Sequence, residues 1–346
     1  MDAFLKLSPE DQRLYCEQAQ TRLNLPADSI EKDFWVCWTL NELFSLPQSG
    51  GLLTFKGGTS LSKGWKLIER FSEDIDVVID REALGFGGDK APQQPGISNN
   101  ERNRRLEALK EACCLHVKNV LHSELRTVLQ NRLGNARPWK LSEEASNDGG
   151  VNLLFAYPTN FPANTNLRPV VKIEPGARSD TEPTETPEIL SYLEQALPEA
   201  VPASPFRVRT VAPQRTFWEK AMLLHEETYR DSGIGPKPGL SRHYYDLYCL
   251  IKAGVATKAA ADLELFARIA AHRAVFFRKK KEAQESLKLG SLCLVPATTA
   301  LAAWKQDYEK MRAVYFFGEP PTFEEVLGVV GEFEKHFNQQ AKASSP

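Results

Sequence analysis

Long apolar runs are missing from this sequence. No stretch reaches the roughly 18 consecutive apolar residues that a membrane helix needs. The first twenty residues lack a basic start, a long apolar centre and a small-residue cleavage site, so a secretory leader is not expected. The cytoplasm is the expected compartment. Cysteine is scarce, with six in 346 residues. Cys16, Cys37, Cys113, Cys114, Cys249 and Cys293 include no C-x-x-C pair, and no histidine stands at zinc-finger distance. That excludes a disulfide scaffold and leaves reduced thiols. A surplus of charge is missing too. Lys plus Arg is 43 and Asp plus Glu is 45, a net of −2, which excludes a bulk polycation that coats nucleic acid and leaves room only for a local basic patch.

What is present is an ordinary globular composition, 42% apolar and 25% charged. At about 150 residues per domain the length suggests roughly two domains. Residues 8–22 read as a helix with Ser8 as N-cap and Pro9 at its first position. A second helix is expected from about 29 to 45, with Asp28 and Glu31 resembling a capping box. Leu52–Phe55 and Ile75–Ile79 read as strands, with a short helix over 60–70 between them. Residues 85–98 are a Gly- and Pro-rich loop, and 99–133 a long charged helix. Strands are expected at 151–157, 168–174 and 206–211. Beyond 214 the pattern is helical, over 214–230, 242–253, 258–287, 297–315 and 322–338. This describes an α+β domain over 1–212 followed by a helical domain over 213–346.

The chemistry is concentrated in residues 55–80, FKGGTSLSKGWKLIERFSEDIDVVID. Asp74 and Asp76 are two apart at the start of a strand, so both carboxylates project from one face. Their repulsion is resolved by a divalent cation, and hard oxygen donors suit Mg²⁺. A third carboxylate would let two ions sit roughly 3.5–4 Å apart across a phosphoryl displacement. Glu174, ending RPVVKIE on the same face as Lys172, is the candidate. Gly57, Gly58, Thr59 and Ser60 form a turn before a short helix, a place for a triphosphate on backbone N–H groups and hydroxyls. Lys63 follows as a further phosphate-binding candidate. A Walker A loop fails because Lys63 precedes Gly64. Ser60–Lys63 matches S-x-x-K, but the S-D-N and K-T-G partners are missing, so Ser60 is not a nucleophile. His225-Glu226-Glu227 is not H-E-x-x-H, so no zinc site follows. In RTFWEKAMLLHEE, Phe217, Ala221 and Leu224 share a helical face, while Arg215 and Lys220 lie off it, able to meet phosphates.

A glycine followed by Ser or Thr, a short helix and then D-x-D resembles the nucleotidyltransferase signature of the AbiEii toxin family, within the DNA polymerase β-like superfamily. Here it stands as Gly58-Thr59 and Asp74-Ile75-Asp76, with EKDFWVCWTL, KGGTSLSK, RFSEDID, RTFWEKAMLLHEE and SRHYYDLY similar to the family's blocks over about 31–250. The resemblance implies a polymerase β-like core with a mixed sheet, and a helical C-terminal region that contributes to the active site. It implies a Mg²⁺-dependent enzyme, with two ions, that takes a nucleoside triphosphate and releases pyrophosphate. Its members resemble toxins of toxin–antitoxin and phage-defence pairs, and some relatives extend the 3′ end of tRNA. A cognate antitoxin is the implied protein partner. Lys220 matches the family's later lysine and Asp246 its last acidic position. Asp246 would orient Lys220 or act as a base, or else pair with Arg242 four residues away.

For an RNA acceptor the sequence offers Arg102–Arg105, Arg126–Lys140 with Trp139, Arg207 with Arg209, and Phe276–Lys281. Two alternatives stand beside RNA. One is transfer to a protein or small-molecule hydroxyl. The other is a non-catalytic module that binds nucleotide as a sensor.

Overall fold

Segments rich in β-branched and aromatic residues lie between residues 53 and 211, and the strands they form gather into two sheets. The computed structural model describes residues 1–135, 137–162, 167–230, 235–277 and 280–343. The strands are β1 (Leu53–Lys56), β2 (Asp74–Ile79), β3 (Lys140–Ala145), β4 (Val151–Ala156), β5 (Val170–Gly176), β6 (Thr184–Glu185), β7 (Glu188–Ile189), β8 (Phe206–Arg207) and β9 (Thr210–Val211). Seven of them order as β3-β4-β5-β2-β1-β9-β6, and β7 pairs with β8. The sheet is mixed: β1 runs antiparallel to β2, β2 parallel to β5, and β4 antiparallel to β5. The architecture is α+β.

The chain divides into two units. The first holds residues 1–64 and 72–211, the second 65–71 and 212–346. In the first, the helix Ala27–Phe44 packs Trp35 and Trp38 on Phe155 of β4, with Trp35 stacked on Tyr157 at 5.5 Å. Rings this size supply much of the buried apolar surface. In the second, Trp218 of the helix Pro213–Thr228 meets Phe266 and Phe337 at 4.8 and 4.9 Å.

Local signals held where they were local. Ser8 caps the helix Pro9–Leu23 by accepting from the Asp11 N–H. Elsewhere tertiary contacts intervened. The helix Ala27–Phe44 has no side-chain cap, because its N-cap position is Pro26, and Glu31 is spent on Thr159 and Asn160 rather than on a capping box. The helix expected over 60–70 ends at Gly64: a turn Gly57–Thr59 runs into a π-helical turn Ser60–Gly64. Residues 69–71 instead pair with 315–317 inside the second unit, through an Arg70–Phe316 bridge and the Phe71 N–H on the Tyr315 carbonyl at 2.6 Å. The strand β3 was missed because KLSEEA is an edge strand whose outward residues are charged. The run 258–287 is three helices, Val255–Ala261, Leu263–Phe276 and Lys281–Glu285.

Candidate active site

Strand periodicity does the first part of the assembly. In β2, Ile75 and Val77 are buried while Asp74 and Asp76 are partly exposed on the other face. In β5, Val171 and Ile173 are buried while Lys172 and Glu174 face the other way. The parallel register sets Asp74 opposite Lys172 and Asp76 opposite Glu174. On the other flank Lys56 of β1 stands opposite Asp76. One face of three adjacent strands therefore carries three carboxylates and two lysines.

The carboxylates are not gathered around an empty centre. Lys172 Nζ lies 2.6 Å from Glu174 and 3.6 Å from Glu144. Burial works against the Lys172 charge, but Glu174, Asp74 and Glu144 outweigh it and hold the ammonium above the ordinary lysine range. Among the described residues no three His, Cys, Asp or Glu side chains are grouped to hold a metal ion. Asp74 and Asp76 nevertheless offer the right donor chemistry, two hard carboxylates on one partly exposed face. Glu174 is beside them in register, with its carboxylate on Lys172.

Gly57 is the tightest feature of the site. Its φ is +82°, and a methyl group on it would overlap the Asp76 carboxylate. Only glycine permits both the backbone angle and this approach. Gly57→Ala is therefore expected to cost about 1–3 kcal/mol, read by urea unfolding. An unchanged midpoint would show that the turn is not under this constraint.

The Thr59 and Ser60 hydroxyls are engaged within the protein. Both are fully buried. The Thr59 hydroxyl donates to the Asp74 carbonyl at 2.5 Å and lies 2.9 Å from the Ser72 hydroxyl. The Ser60 hydroxyl donates to the Gly57 carbonyl at 2.8 Å. Of the hydroxyls expected to meet phosphate, that of Thr59 holds the turn to β2 and that of Ser60 closes the turn on itself. Lys63 is buried as well, paired with Asp33 and lying 3.1 Å from the centre of the Tyr192 ring. It ties the turn to the helix Ala27–Phe44.

The second unit holds Arg215, Lys220 and Asp246. Asp246 is fully buried in the helix Arg242–Lys252. Arg70 Nε and Nη2 donate to its two oxygens at 2.7 and 2.8 Å, a bidentate fork. Lys220 Nζ is 2.8 Å from the same carboxylate and 3.3 Å from His243 Nδ1. Burial alone would raise the Asp246 carboxyl, but Arg70 and Lys220 outweigh it and hold it far below the usual range. Burial and the neighbouring Arg70 bring Lys220 below the ordinary lysine value. Burial, with Lys220 and Arg242, pushes His243 well down, so it stays neutral. A carboxylate this depressed is a poor base. Its bidentate partner is Arg70, not the Arg242 that helical spacing offered. Sequence reasoning missed Arg70; its place in RFSEDID, four residues before Asp74, was the only signal. Arg215 is buried and bonds Glu219 at 3.1 Å.

The basic stretches are largely committed. Arg104 and Arg105 bond Glu101, and Arg102 bonds Asn99 and the Pro92 carbonyl. Arg132 pairs with Asp2 and Glu42, and Arg137 with Gln12 and Asn160. The Trp139 indole donates to the Gly134 carbonyl. Arg207 and Arg209 pair with Glu188 and Glu182. In the run 276–281, Phe276 is buried, and positions 278 and 279 lie outside the described residues. No helix among the described residues is long and apolar enough to cross a membrane.

A family model described as nucleotidyl transferase AbiEii toxin, type IV toxin–antitoxin system, matches residues 38–329. Among solved structures, the chain is similar to MenT4, a nucleotidyltransferase toxin from Mycobacterium tuberculosis H37Rv, at 18% identity and a TM-score of 0.43, over 89% of each chain. It is also similar to JHP933 from Helicobacter pylori, at 13% identity and a TM-score of 0.35, over 90% of this chain and 96% of that one. No curated protein matches.

Proposed function

Because this chain belongs to the AbiEii family of nucleotidyltransferase toxins, of type IV toxin–antitoxin systems, we propose that it transfers a nucleotide from a nucleoside triphosphate to the 3′ end of an RNA, tRNA in particular, with Mg²⁺ held at Asp74 and Asp76. The acceptor hydroxyl oxygen bonds the α-phosphorus, the bond from that phosphorus to the pyrophosphate oxygen breaks, and the hydroxyl proton leaves to solvent. In this reading the cytoplasm is the site of action, a cognate antitoxin restrains the enzyme, and phage defence is one setting for it.

The observation that carries the reading is the fit of Gly57 against Asp76. A positive-φ glycine is packed on a carboxylate of the D-x-D strand, so the backbone of the turn and the carboxylates form one surface. Asp74 and Asp76 would hold the metal, with Glu174 as the third carboxylate. Bound there, Mg²⁺ would neutralise the triphosphate and the leaving pyrophosphate. The chain's own residues do the rest. The Gly57–Ser60 backbone approaches the phosphates, and Thr59 fixes that backbone to Asp74. In the second unit Lys220 is a compact phosphate-binding charge, and Asp246, held by Arg70, aims it. Lys63 and Arg215 are buried in ion pairs and take supporting places.

The test is a transfer assay with Mg²⁺, each labelled nucleoside triphosphate in turn and total RNA, with Asp74→Ala/Asp76→Ala as control. A labelled tRNA-sized band that the double variant loses is the expected result. Pyrophosphate release with cell lysate but no labelled RNA would replace RNA with a protein or small-molecule acceptor. Tight nucleotide binding with no release at all would overturn transfer in favour of a sensor.

A further inference from the structure

Three consecutive charged residues, Glu31, Lys32 and Asp33, are 1%, 2% and 4% exposed in the helix Ala27–Phe44. Successive helix positions are turned by about 100°, so three neighbours fan out in three directions. Each finds partners far along the chain. Glu31 accepts from the Thr159 hydroxyl at 2.5 Å and the Asn160 N–H at 2.8 Å. Lys32 pairs with Glu73 and donates to the Arg168 carbonyl at 2.9 Å. Asp33 accepts from the Tyr192 N–H at 2.7 Å and pairs with Lys63.

Buried ion pairs add little stability compared with apolar residues of the same size. The flanking positions show the alternative, since Ile30 and Phe34 are fully buried apolar residues of the same helix. What three paired charges add is placement. Two of these partners, Glu73 and Lys63, adjoin the proposed nucleotide site. Glu73 immediately precedes Asp74, where β2 begins. Asp74 is thus fixed from both sides, by the Lys32–Glu73 pair before it and by the Thr59 hydroxyl on its carbonyl. Lys63 is the last residue but one of the turn that Gly57 begins. Asp33 therefore anchors the far end of the glycine turn while Lys32 anchors the D-x-D strand.

We propose that Lys32 and Asp33 are positioning residues for nucleotidyl transfer, a pair of adjacent clamps on one helix that set the glycine turn and the Asp74 strand at their working separation. The proposal rests on the nucleotidyl-transfer reading above. A misplacement of about 1 Å at such a site costs on the order of a hundredfold.

The test measures binding as well as rate. The variants are Lys32→Met/Glu73→Gln, which removes both charges together, Glu73→Gln alone, Lys32→Arg, and Asp33→Asn/Lys63→Met. The probe is Mn²⁺ with each of the four α,β-methylene nucleoside triphosphates, titrated calorimetrically, with circular dichroism melting alongside. The Lys32→Met/Glu73→Gln and Asp33→Asn/Lys63→Met variants are expected to bind the probe about ten- to a hundredfold more weakly while folded at the assay temperature. Lys32→Arg, which keeps the pair with Glu73, should recover most of that loss. Glu73 is partly exposed, so Glu73→Gln decides the matter if a double variant fails to fold, and several-fold weaker binding is expected of it. Wild-type affinity in the folded variants, or weakening that only tracks the unfolded fraction, overturns the clamp and leaves the transfer reading standing. A wild-type protein that binds none of the four nucleotides overturns both.

Discussion

Asp76→Ala is expected to lower nucleotide transfer at least about a thousandfold, or roughly 4 kcal/mol of transition-state stabilisation, at saturating Mg²⁺. Asp74→Ala should behave alike. The reason is the arrangement on one face of the sheet. Asp76 is the carboxylate on which Gly57 is packed, and its cross-strand neighbours are Lys56 and Glu174. Removing it takes away a hard donor and the carboxylate on which the glycine turn is packed. The same face continues through Lys172, which stands opposite Asp74 and bonds Glu174. Single-turnover rates with the labelled nucleotide are the measurement, and melting curves separate chemistry from folding. A residual rate within tenfold of wild type would remove the D-x-D pair from the mechanism.

The second large effect belongs to the second unit. Asp246→Ala leaves Arg70 and Lys220 buried without their counterion, and about 3–5 kcal/mol of stability should be lost. Arg70→Met/Asp246→Leu should cost less than the two single changes added together, because the Arg70 charge is then not left without its carboxylate and Lys220 alone loses its counterion. The pH dependence has a definite sign. Asp246 is depressed in the folded protein, so its contribution is full above the unfolded carboxylate value of about 3.9. It is lost as the pH falls below that value towards the much lower folded one. Wild-type stability should therefore fall more steeply between about pH 4 and pH 2 than that of Arg70→Met/Asp246→Leu. Equal slopes, or an Asp246→Ala protein as stable as wild type, would mean that the cluster is not a buried charge network.

Much of the fold was legible because the signals were local. Ser8 and Pro9 announced a helix, and the alternation of Asp74, Ile75, Asp76 and Val77 announced a strand with one polar face. The same period of two placed Lys172 and Glu174 together. Other features answer to partners far along the chain. Glu31 looked like a capping residue until Thr159 and Asn160 claimed it. Lys63, Thr59 and Ser60 looked like phosphate ligands from their spacing, and the fold buries all three in contacts within the protein. Helical spacing paired Asp246 with Arg242, whereas a residue 176 positions away in the chain takes both oxygens.

The sequence by itself determined the chemistry on offer: two carboxylates two apart on a strand, a glycine turn before them, and a family assignment that residues 38–329 bear out. Those are properties of short segments, and backbone periodicity is enough to read them. Only the tertiary structure decided which charges remain for a ligand and which are consumed in the protein. Sheet register brought Glu174 beside Asp76, and the packing of one helix buried Glu31, Lys32 and Asp33 against segments far along the chain. Register and burial depend on contacts between distant segments, and a buried charge takes whatever partner the fold delivers because leaving it alone costs several kcal/mol.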